Sequence, residues 1–118
     1  MNCQTVAIIT TNEIAKRLKE RLNQFPSELK KVTIKPLKEN VTVFLWDYEP
    51  FFPKIDEEVG ITNILEEFID SETEGYKLLA HGDDGFFDYN YNETGAKLFE
   101  GYDMEIKFNF LENDFDLI

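Results

Sequence analysis

Few residues in this chain can act as nucleophiles, soft metal ligands or cross-links. Cys3 is the only cysteine among 118 residues, so no intrachain disulfide can form. A small domain that stands without one points to a reducing compartment, and the cytoplasm is the expected location. His81 is the only histidine, and one imidazole without a second soft ligand does not make a zinc site. Ser27 and Ser71 are the only serines, and neither lies in a G-x-S-x-G elbow. No lysine follows paired glycines at phosphate-loop spacing, so nucleotide binding of that type is excluded. No stretch approaches the roughly 18 consecutive apolar residues of a membrane span. The segment Met1-Asn2-Cys3-Gln4 also lacks the basic start of a secretion signal.

Basic residues are scarce beyond residue 40. Residues 1–40 carry eight Lys/Arg against four Asp/Glu, a net of +4, whereas residues 41–118 carry four against twenty, a net of −16. The whole chain stands at −12. Direct nucleic-acid binding is not expected, because phosphate contact needs a positive surface. Hydrophobic residues still make up 42%, which is enough to fill a core and argues against disorder. With no repeat, linker or low-complexity tract, residues 1–118 read as one domain.

Residues 4–10 are apolar on both faces, as a central strand requires. Thr10 and Glu13 have capping-box spacing, and Ile14, Leu18, Leu22 and Phe25 then recur on one helical face until Pro26. Glu13 and Arg17 stand in the favourable i,i+4 order. Residues 31–35 alternate as a half-buried strand, residues 38–40 turn, and residues 41–48 form a second strand. Pro50 and Pro53 read as a loop leaving the sheet. A second helix is expected over 57–70, with Asp56 as its cap and Gly60 weakening its first turn by about 1 kcal/mol. Strands follow at 76–81, 86–92, 97–100 and 104–110, with Asp83-Asp84-Gly85 as a tight hairpin turn. The β-α-β-β-α-β-β-β order predicts an α+β fold, a two-layer α/β sandwich of a mostly antiparallel sheet with two helices.

Acidic residues recur at alternate positions: Asp47 with Glu49, and Glu112, Asp114 and Asp116. Alternate strand residues stand about 6.6 Å apart on one side, a spacing that can present a negative lattice to a cationic groove. Asp83, Asp84 and Asp88 gather around the hairpin. Trp46, Tyr48, Tyr89 and Tyr91 accompany these acids and are the residue types that anchor interfaces. The plain alternatives are a solvating surface for the acids and a core for the aromatics.

Asp88-x-Asn90-x-Asn92 imitates the start of a calcium loop but has Glu93 where glycine is needed and Phe99 where the bidentate glutamate belongs. The expected function is therefore a small acidic binding module. It would be an inhibitor of the immunity, antitoxin or phage anti-defence kind, a nucleic-acid mimic blocking a basic site on a nuclease or other nucleic-acid-handling protein. No catalytic role, metal or cofactor is expected. One alternative is a metal-dependent or acid–base enzyme domain centred on His81, Asp83 and Asp84. Another is a self-assembling subunit joined through the oppositely charged segments.

Overall fold

The computed structural model of the chain describes residues 4–49, 52–82 and 85–100, with side chains for 5–46, 53–80 and 90–100. Five strands, β1 (Gln4–Thr10), β2 (Val32–Lys38), β3 (Val41–Glu49), β4 (Tyr76–Gly82) and β5 (Gly85–Tyr91), pair in the order β2-β3-β1-β4-β5. Every neighbouring pair is antiparallel. Helices α1 (Asn12–Leu22) and α2 (Pro26–Leu29) join β1 to β2, and α3 (Phe52–Val59) and α4 (Ile61–Glu66) join β3 to β4. The first four strands thus have the split β-α-β connectivity of ferredoxin-like folds. A short α5 (Glu93–Leu98) follows β5.

Strand β1 lies at the centre and is apolar on both faces because both are covered. Val6 and Ile8 join Ile14, Leu18, Phe44, Ile61, Leu65 and Leu78 between sheet and helices. Ala7 and Ile9 join Val43, Leu45, Leu79 and Phe99 on the opposite face. The α+β class and the antiparallel sheet agree with the sequence expectation. Pro36 is tolerated because β2 pairs only with β3 among the described strands, and the register shifts there, between Pro36 and Lys38. Asn40 takes the left-handed conformation, φ 63°, that the β2–β3 turn requires.

Several details depart from the sequence reading. Two helices were expected, and the described residues contain five: Gly60 at φ 80° splits the second into α3 and α4, and the short α2 and α5 are additional. Pro53 opens no loop: it sits in the first turn of α3, where its missing N–H costs nothing. Pro26 likewise starts α2. The cap of α1 is Thr11 rather than Thr10. The Glu74 carboxylate accepts the Thr11 hydroxyl and, at 3.1 Å, the Glu13 backbone N–H, so a distant residue replaces the local capping box. Arg17 reaches across to Glu67, with Nη2 at 2.8 and 3.0 Å from the two carboxylate oxygens, instead of pairing along its own helix. The segment expected as a strand at 97–100 is instead α5 and its end. The strand expected at 104–110 lies outside the described residues.

Candidate partner-binding surface

Strand β5 ends at Tyr91, and Asn92 turns the chain into α5. The Asn92 side chain is buried at 1% exposure, so each of its polar atoms needs a partner. Its Oδ1 accepts the backbone N–H of Gly95 at 2.7 Å and of Tyr76 at 3.2 Å. Its Nδ2 donates to the carbonyls of Phe68 at 2.8 Å and Glu74 at 2.9 Å. One amide therefore joins the end of the helical layer, the start of β4 and the first turn of α5. Close to it, the Thr94 hydroxyl donates to the Ser71 carbonyl at 2.5 Å, and Ser71 Oγ accepts the backbone N–H of Glu74 at 2.9 Å. Gly75 and Gly95 pack backbone to backbone: a Cβ on Gly95 would lie 2.1 Å from the Tyr76 carbonyl oxygen.

This buried polar clasp fixes the turn at 69–72 beside α5, and the surface above it is exposed. Ile69, Tyr91 and Leu98, at 46%, 48% and 50%, are the large hydrophobic residues left exposed among those described. Asp70, Glu72 and Glu93 are exposed as well. Glu72, Glu93, Thr94, Lys97 and Leu98 line an open cleft of about 450 Å³. A smaller one of about 170 Å³, lined by Ile69, Asp70 and Ser71, shares Glu72, Glu93 and Thr94 with it. Ile69 and Leu98 thus belong to one continuous surface crossed by carboxylates. Among the described residues its one cation is Lys97, which stands 3.4 Å from Glu93 with both side chains strongly exposed.

Of the residues singled out by sequence, Tyr91 is exposed at the end of β5, opposite Lys77 and next to Asn92 in the chain, and lines neither cleft. Trp46 is not a partner anchor: at 1% exposure it fills the core between sheet and helices, beside Val6 and Val32 on the neighbouring strands. Asp47, Tyr48 and Glu49 close β3, with Glu49 opposite Gln4. Asp88 and Tyr89 lie in β5, with Asp88 opposite Leu79 and a register shift that leaves Tyr89 as an extra residue. Strands β1 and β4 separate the β3 group from the β5 group, a gap of about 14 Å at roughly 4.8 Å per strand. These two sets therefore do not form one row. His81 lies in β4 opposite Thr5 and Phe86. The two residues between the paired Gly82 and Gly85, Asp83 and Asp84, lie outside the described residues, as do Glu112, Asp114 and Asp116.

Sequence reasoning missed Ile69, Glu72, Glu93 and Leu98. Ile69 reads as part of a buried helical face and Leu98 as a strand residue, and only the early end of α4 and the start of α5 expose them. Among the described residues, no group of three His, Cys, Asp or Glu side chains is placed to share a metal ion, and no helix is long and apolar enough to cross a membrane. Comparison with protein-family models, with characterised proteins and with solved structures finds no match.

Proposed function

We propose that this chain is a small acidic binding module of the inhibitor type, which occludes a basic site on a partner protein. The observation that carries this reading is the placement of the exposed Ile69 and Leu98 on one surface with the exposed Asp70, Glu72 and Glu93, on a base fixed by the buried Asn92 clasp. Apolar contact area inside a charged rim is the usual anatomy of a specific interface. A rigid base lowers the ordering cost of binding. The net −16 of residues 41–118 supplies a long-range field that speeds encounter with a cationic partner. A nuclease or another nucleic-acid-handling protein has a site of the matching sign, and immunity proteins, antitoxins and phage anti-defence proteins share this profile of small size and acidity.

The test is affinity capture from the source lysate at low salt, with a salt-gradient elution and mass spectrometry. One basic, nucleic-acid-acting protein released over a narrow salt range, and inhibited by the purified chain, supports the reading. A smear of unrelated basic proteins, or none, sinks it.

A further inference from the structure

We infer that the docking face is the surface formed by α5 and the 69–72 turn, and that it takes an arginine-bearing segment of the partner with an apolar side chain beside the arginine. The inference rests on the binding-module reading and names its site and the chemistry it recognises.

The carboxylates of Glu72 and Glu93 border the same cleft. Among the described residues Glu72 has no ion pair, and Glu93 has only Lys97. The Lys97–Glu93 contact is a 3.4 Å i,i+4 pair between side chains that are 74% and 85% exposed. Such pairs contribute little, so an incoming cation displaces Lys97 at small cost. A guanidinium is the better competitor than an ammonium. It is planar, less strongly hydrated, and has five donors with which to bridge two carboxylates. Leu98 on one side and Ile69 on the other are half exposed, and burying them against the partner adds the apolar contribution that a purely ionic contact lacks.

Lys97 therefore acts as an internal competitor that occupies the site when the partner is absent. That role sets this face apart from acidic surface in general: removing a positive charge should strengthen binding by more than the change in net charge alone brings.

The probe is a short synthetic peptide alternating arginine and leucine, titrated into the full chain while its backbone amides are followed by NMR, with the lysine counterpart as control. The expected result is shifts concentrated at 69–72 and 92–98, with the arginine peptide binding more tightly. Glu72→Gln and Glu93→Gln should each weaken it about threefold to tenfold. Leu98→Ser should weaken it as well, and Lys97→Gln should tighten it about twofold to fivefold. Lys54→Gln, which makes the same charge change away from this face, should tighten it less. These positions are exposed, and the unperturbed spectrum of each variant reports that it is folded. Shifts spread evenly over the acidic surface, or equal tightening by Lys97→Gln and Lys54→Gln, overturn this face and leave the wider reading to its own capture test. No shifts with either peptide overturn the face, and capture of no partner then removes the wider reading too.

Discussion

The Asp56 carboxylate, in the middle of α3, accepts the backbone N–H of Thr62 at 2.7 Å and also the Thr62 hydroxyl. It thereby caps α4 across the Gly60 break. Arg21 completes the junction by donating to the Val59 carbonyl at 2.8 Å, which satisfies the end of α3. Asp56→Ala should cost about 1–2 kcal/mol, since an orphaned helix N–H and a hydroxyl lose their acceptor together. Gly60→Ala should cost about 1 kcal/mol for holding an L-residue at φ 80°. The added Cβ would also stand 3.1 Å from Arg21 Nη1, a flexible end that can move. Urea unfolding followed by the fluorescence of Trp46, the chain's one tryptophan and a buried one, checks both values.

Asn92 is the most heavily used polar side chain described. Asn92→Ala would strand two backbone donors and two carbonyls, and at about 1 kcal/mol or more for each group left unsatisfied the loss should reach at least ~3 kcal/mol. Asn92→Asp keeps the Oδ1 acceptor but sets a second acceptor oxygen against the Phe68 and Glu74 carbonyls in a buried site, so it should be at least as damaging as alanine at pH 7. Gly95→Ala should be as damaging as Asn92→Ala, because its Cβ meets the Tyr76 backbone and not a movable side chain. Equal stability of Gly95→Ala and wild type in the same urea assay would show that the 75–95 contact is looser than described.

Much of the sheet is legible in the sequence because its signals are local. The two-faced apolar run of β1, the turn at Asn40 and the short connection between Gly82 and Gly85 each depend on neighbouring residues. The α1 stripe of Ile14, Leu18 and Leu22 is legible for the same reason. What the sequence conceals depends on partners far along the chain. Glu74 lies more than sixty residues from the Thr11 it caps, and the short α5 is held by an asparagine that bonds to residues 68, 74 and 76. Trp46 reads equally well as anchor or core until β1 and β2 are seen to flank it. The surface proposed for docking is not legible because the exposure of Ile69 and Leu98 follows from where short helices end.

The Arg17–Glu67 pair joins α1 to the end of α4 at the surface, with side-chain exposures of 36% and 52%. Solvent screens such a contact, so Glu67→Gln should destabilise by no more than about 0.3–1 kcal/mol at low ionic strength. The difference should fade at ~1 M salt, where the Debye length is about 3 Å. Urea midpoints of the two proteins at low and high sodium chloride test this. A penalty that persists undiminished at high salt would mean that Arg17 contributes through packing of its stem and not through charge.

Tyr76 opens β4 fully buried, and its hydroxyl has no hydrogen-bond partner among the described residues. Burial, and after it the negative charge of Glu66, raises its pKa above the ordinary 10.0. A raised folded-state value means that the folded protein holds the phenol proton where the unfolded chain has already lost it. This contribution to stability is complete below pH 10 and is lost as pH rises through the folded-state value. Tyr76→Phe should be neutral or slightly stabilising at pH 7, since it removes a buried hydroxyl without a partner among the described residues. It should also flatten the fall in stability above pH 10. An ultraviolet titration should show a tyrosine ionising above 10 that is absent in Tyr76→Phe and shifted back toward 10 in Glu66→Gln. A late tyrosine that persists in Tyr76→Phe would assign the perturbed phenol elsewhere, and the solvent-free setting of Tyr76 beneath α4 would then be wrong.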